Sequence, residues 1–167
     1  MKVDQGKSGV KVESEKSMNH DKTVLLVEDN VDDERLTLRA LKKNNIMNEV
    51  VVACDGEEAL DFLFGRNKYS GRDTRQMPAV VILDLKLPKL SGLEVLKEIR
   101  KREETRLLPV VVLTSTDDDE QVKESVRLGA NSLIKKPVDS GEYSEMILQL
   151  GMYWLLLNYT PPAQKPG

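Results

Sequence analysis

A single carboxylate, Asp84, ends the apolar run Val80-Val81-Ile82-Leu83, and the chemistry of this chain is read from there. Such a run reads as a strand buried on both faces, as in a parallel sheet. Three other apolar runs also end in polar groups. Thr23-Val24-Leu25-Leu26-Val27 ends in Glu28-Asp29, Val110-Val111-Val112-Leu113 in Thr114-Ser115, and Asn131-Ser132-Leu133-Ile134 in Lys135-Lys136-Pro137. In an open α/β sheet, ligands collect at the carboxyl ends of the strands. Taken singly, these residues read as caps, turn formers and a solvated lysine. Taken together, they place three carboxylates, a hydroxyl and a cation on one sheet edge.

Clustered carboxylates repel one another, and an unpaired buried charge is costly. A hard divalent cation relieves both, and an oxygen-only ligand set suits Mg²⁺. Such a metal beside Asp84 would neutralise an incoming phosphoryl group and leave the carboxylate free to attack it, giving an aspartyl phosphate. Lys136 would place a point charge on one phosphoryl oxygen, and the Thr114 hydroxyl would donate to another. The predicted chemistry is metal-assisted phosphoryl transfer onto Asp84.

The elements that must position these residues alternate, strand then helix, five times with short connections. That pattern predicts an α/β fold with a doubly wound, five-stranded parallel sheet. Asn30 is the expected cap of the first helix, where Val31, Leu38 and Leu41 recur at helical spacing. Ser91-Gly92-Leu93-Glu94 fits a capping box, and Asp117 to Glu120 repeats the spacing, with Val122 and Val126 expected inward. The second strand is read as Val50 to Cys54, with Cys54 a small buried hydrophobe. The polar stretch from Arg66 to Met77 reads as solvated slack between elements. Residues 1–21 read as a disordered leader, residues 22–160 as one domain with an extended final helix, and residues 161–167 as a Pro-rich tail.

Composition narrows the function classes. A net charge of -3 supplies no basic field for nucleic acid. No apolar run approaches the roughly 18–20 residues needed to span a bilayer. The N-terminus has no apolar signal-peptide core, so a cytoplasmic location is expected. The only histidine, His20, lies in the polar leader, which removes histidine metal clusters and serine–histidine triads.

Val27-Glu28-Asp29-Asn30, Leu83-Asp84-Leu85-Lys86-Leu87-Pro88, Leu113-Thr114-Ser115 and Lys135-Lys136-Pro137 together resemble the motif set of response-regulator receiver domains, over roughly residues 22 to 150. The flavodoxin-like (βα)5 fold is what this resemblance implies. More narrowly, the stretch from Asp55 to Leu63, the long following loop and Tyr153-Trp154-Leu155 resemble the stand-alone regulators that partner bacterial phytochrome histidine kinases. The resemblance implies that Asp84 accepts a phosphoryl group from a kinase histidine. It also implies that Asp29, Asp84 and the Lys86 carbonyl bind Mg²⁺, that Glu28 acts through water, and that Thr114 and Lys136 contact the phosphoryl group. A cis Lys136–Pro137 bond is implied as well.

One departure concerns switching. Receivers usually carry Tyr or Phe three residues before the lysine, and this chain has Leu133. Two competing readings are weaker. An aspartate-nucleophile phosphatase usually has a second Asp two residues after the nucleophile, where this chain has Lys86. A phosphate-independent scaffold leaves the intact Glu28, Asp29, Asp84, Thr114 and Lys136 set without a purpose. The expected role is therefore signalling, with no turnover of external substrates. The final helix carries one apolar stripe at Tyr143, Ile147, Leu150, Trp154 and Leu157 and another at Leu148, Met152, Leu155 and Tyr159. One stripe suffices to dock a surface helix, so the second predicts a homodimer.

Overall fold

The computed structural model describes residues 22–115 and 117–159, so the expected leader and tail lie outside the described residues. The elements run β1 (Val24–Val27), α1 (Val31–Lys43), β2 (Val50–Ala53), α2 (Gly56–Phe64), β3 (Val80–Asp84), α3 (Gly92–Lys101), β4 (Val110–Thr114), α4 (Asp119–Arg127), β5 (Ser132–Lys135) and α5 (Ser140–Gly151). All five strands are parallel, in the order β2-β1-β3-β4-β5. The order reverses between β1 and β3, which opens a crevice at their carboxyl ends. Among the described residues, no helix is long and apolar enough to cross a membrane.

Alternation along the strands builds two cores. Leu25 and Val27 of β1 join Leu60, Leu63, Leu96 and Ile99 of α2 and α3. Val24 and Leu26 join Leu41, Tyr143 and Ile147 of α1 and α5. β1, β3 and β4 are buried throughout, as central strands covered on both faces must be. Truncating a fully buried leucine such as Leu63 or Leu96 to alanine would cost about 2–5 kcal/mol.

The caps set where each helix starts relative to the sheet edge. The Asn30 side chain accepts from the Asp32 and Asp33 N–H groups, and Ser91 and Glu94 form a reciprocal capping box. The α4 cap is Asp118, one residue beyond the expected Asp117, with its carboxylate accepting from Glu120 and Gln121.

Several side chains differ from expectation. β2 ends at Ala53, so Cys54 is exposed in the turn before the Asp55 cap, its N–H donating to Glu58 Oε2 at 2.9 Å. Val126 is exposed because Ser125 takes the inward position, its hydroxyl bonded to the Val122 carbonyl. Val31 is exposed because it opens α1 at the sheet edge. The Arg66–Met77 stretch is not slack. It contains a 3-10 turn (Asn67–Tyr69), and Arg72 donates to the Phe62 carbonyl at 2.9 Å with its guanidinium 4.0 Å from the Phe62 ring centre. Lys136–Pro137 is trans, the ordinary preference of the bond, and the lysine reaches its partners from that geometry.

The last helix changes pitch. α5 passes into a π-helical segment, Met152–Leu157, and the wider turn sends Trp154 and Leu155 inward. Leu155 therefore leaves the predicted outer stripe, while Leu157 leaves the inner one and is 72% exposed. Gly151 lets the helix close on α1, since a Cβ there would sit 2.8 Å from Ile46 Cδ1 and 2.9 Å from Leu41 Cδ2.

Candidate functional site

Parallel register brings the predicted residues to one edge. Val27 of β1 pairs with Leu83 of β3, so Glu28 and Asp84 emerge side by side. Thr114 pairs with Lys135, and the Lys136 N–H donates to the Thr114 carbonyl at 2.8 Å. The last residue of β3 is Asp84 itself, 8% exposed, with Thr114 buried at the end of β4.

Lys136 is the centre of the arrangement. Its ammonium donates to Glu28 Oε2 at 2.7 Å, to Asp84 Oδ2 at 2.8 Å and to Asp33 Oδ2 at 2.9 Å. Three donors thus meet three carboxylates, the full capacity of the group. The other Asp84 oxygen, Oδ1, accepts the Lys86 N–H at 3.1 Å. Glu28 Oε1 accepts the Asn30 N–H at 3.1 Å, which ties the site to the cap of α1. Asp33 was not among the site residues expected from the sequence. The signal that would have found it is its place five residues after Glu28, on a helix that starts at the strand end.

Electrostatics follow from this crowding. Burial pushes the Glu28 carboxyl up to about 7, with the Asp84 charge adding to the rise, and the Lys136 hydrogen bond and charge only partly offset it. Burial alone would lower the Lys136 ammonium. Hydrogen bonds to Asp84, Glu28 and Asp33 outweigh that and hold it well above the usual lysine range.

Glu28, Asp29 and Asp84 each offer a carboxylate oxygen, all within 4.8 Å of one another, and Asp29 is exposed. Hard oxygens gathered this closely, with excess negative charge, fit a divalent cation. The neighbouring loop packs closely against the strand end and α2. Gly92 lets α3 close on the β3 end, because a Cβ there would run into the Asp84 carbonyl oxygen. Lys89 adopts a left-handed φ of 65° and its ammonium lies 3.2 Å from Asp55 Oδ2, clamping the loop after β3 to the cap of α2.

Comparison with known proteins places these features in a family. Residues 24–148 match the response regulator receiver domain, and the chain belongs to that family. It is 34% identical over 138 residues to the probable methanogenesis regulatory protein FilR2 of Methanothrix harundinacea, covering 83% of this chain and 86% of that one. It is also 34% identical over 145 residues to response regulator Rcp1 of Synechocystis, covering 87% of this chain and 97% of that one. The crystal structure of the Mn²⁺-bound form of Rcp1 superposes with a TM-score of 0.78, over 84% of this chain and 99% of that one. The bacteriophytochrome response regulator AtBRR is 47% identical, with a TM-score of 0.65 over 83% of this chain and 98% of that one. The protein is a receiver-domain response regulator of two-component signalling, whose partner class is the histidine kinase.

Proposed function

We propose that Asp84 is the phosphoacceptor. An Asp84 oxygen attacks the phosphorus of a phosphohistidine protonated on its other ring nitrogen, forming the new P–O bond as the P–N bond breaks, and the histidine keeps that proton and leaves as neutral imidazole. The supporting observation is the Lys136 ammonium bonded to Asp84 Oδ2 at the sheet edge, beside the Glu28 and Asp29 carboxylates. Mg²⁺ is the proposed ion, held by Asp29, Asp84 and the Lys86 carbonyl, with Glu28 acting through water. When bound, it would neutralise charge on the phosphoryl group. Thr114 and Lys136 are the residues of this chain that contact the phosphoryl oxygens. Lys86, in place of a second acid after Asp84, supports a signalling role over turnover of external substrates.

The proposed kinase is a bacterial phytochrome, a reading supported by the likeness to AtBRR. The proposed location is the cytoplasm. The chain is also proposed to dimerise through its C-terminal end, where Met152, Tyr153, Leu156, Leu157 and Tyr159 are exposed on one short segment. Phosphotransfer from autophosphorylated kinases tests the partner. Faster transfer from a phytochrome kinase than from unrelated histidine kinases is expected, and equal rates would remove the phytochrome assignment.

A further inference from the structure

One partner of Lys136 lies outside the carboxylate group that fits a cation. Glu28, Asp29 and Asp84 gather within 4.8 Å of one another, whereas Asp33 reaches the site from the first turn of α1 and touches the lysine alone, at 2.9 Å. A lysine ammonium is a point charge on a flexible stem, with three rotatable donors. A single partner would leave it free to swing. Glu28 Oε2 at 2.7 Å and Asp33 Oδ2 at 2.9 Å fix two of its donors, and that sets the direction of the third, which meets Asp84 Oδ2 at 2.8 Å. The two anchors are themselves joined, because the N–H of Asn30, the cap of α1, donates to Glu28 Oε1 at 3.1 Å.

Phosphorylation takes one Asp84 oxygen into the new P–O bond and carries negative charge onto the phosphoryl oxygens. The third donor then passes from Asp84 to a phosphoryl oxygen, while the bonds to Glu28 and Asp33 stay. The Asp33 charge acts in the opposite sense, since it repels the incoming phosphoryl group. Its side chain is 28% exposed against 2% for Glu28, so water screens that repulsion, and the hold on the ammonium is the larger effect.

We propose that Asp33 is a positioning residue for phosphoryl transfer: with Glu28 it aims one N–H of Lys136 at the phosphoryl oxygens, and it keeps that aim once Asp84 is phosphorylated. The inference rests on the Asp84 reading above.

The test uses the full chain at saturating Mg²⁺ with acetyl phosphate, a small donor that needs no kinase contact with α1. Asp33→Ala should be phosphorylated at least threefold more slowly than the wild type. Asp33→Asn keeps an oxygen acceptor without the charge, so its rate should fall between the two. Asp32→Ala removes an exposed acid from the same helical turn and should react like the wild type. Beryllofluoride, a phosphoryl mimic, gives a second readout by fluorine NMR: the fluorine that meets Lys136 should shift in Asp33→Ala and hold its place in Asp32→Ala. Were repulsion the larger effect, both Asp33 variants would react faster than the wild type, and that would overturn the proposal. Equal slowing in Asp32→Ala, or an unmoved fluorine resonance in Asp33→Ala, would overturn it too. Should Asp33→Ala not fold, Asp33→Asn decides alone, a slower rate supporting the proposal and an equal or faster one overturning it. A wild type that takes neither reagent would overturn the Asp84 reading, and the Asp33 assignment with it.

Discussion

Lys136 Nζ stands 2.8 Å from Asp84 Oδ2, although the two residues are 52 positions apart in the chain. The parallel ladders of β3, β4 and β5 make that meeting obligatory, because each strand delivers its polar terminus to the same edge. Removing the lysine would leave the buried Asp84 carboxylate without its countercharge and push Glu28 further toward its protonated form. Lys136→Ala should therefore lose about 3 kcal/mol of stability in the absence of metal. Millimolar Mg²⁺ should recover part of the loss, since the cation can replace the ammonium as countercharge. Urea unfolding with and without Mg²⁺ measures both effects.

The acidity of Glu28 gives the site a pH dependence. Its carboxyl is raised from 4.5 to about 7 in the folded state. Between those values the folded protein holds a proton that the unfolded chain has lost. Metal-free stability should therefore fall as pH rises through that window, while Mg²⁺ affinity should climb. Urea unfolding and Mg²⁺ titration at pH 5.5 and 8 should show the two trends in opposite directions. Glu28→Gln should flatten both.

At the switching position, Leu133 lies on β5 opposite Val112 and packs against the α2–α3 core. Occupying the site should still reorder the loop after β4, without an aromatic swing. Amide shifts across residues 114–120 on acyl-phosphate treatment with Mg²⁺ are the measurement. Unchanged shifts there would contradict the expectation.

The C-terminal surface makes separable predictions for two neighbouring residues. Leu157 is 72% exposed, whereas Trp154 is 9% exposed and sits in the α1–α5 core. Leu157→Asp should convert a dimer to a folded monomer at micromolar concentration by light scattering. Trp154→Ala should instead cost about 3–5 kcal/mol of stability. A wild-type monomer at that concentration would remove the dimer proposal.

The fold was legible because its signals are local. Four of the five strands announce themselves as apolar runs with polar ends, and Asn30 and Ser91 mark helix starts by type alone. Glu28, Asp84, Thr114 and Lys136 were legible for the same reason, since a strand end is a position sequence can name. Asp33 was not, because its role depends on the rotation of α1, which is set by packing on α5. The path of the last helix was hidden too. A continuous 3.6-residue period puts Leu157 inward and Leu155 outward, and the π-helical segment reverses them. Cys54 was misplaced by a single residue at a strand end, where one step changes buried to exposed.

Labelling with acetyl phosphate followed by intact-mass spectrometry reads phosphorylation at Asp84. One phosphoryl group per chain is expected, dependent on Mg²⁺, labile to hydroxylamine and absent from Asp84→Asn. Label retained in Asp84→Asn, or a wild type that takes none, would contradict it.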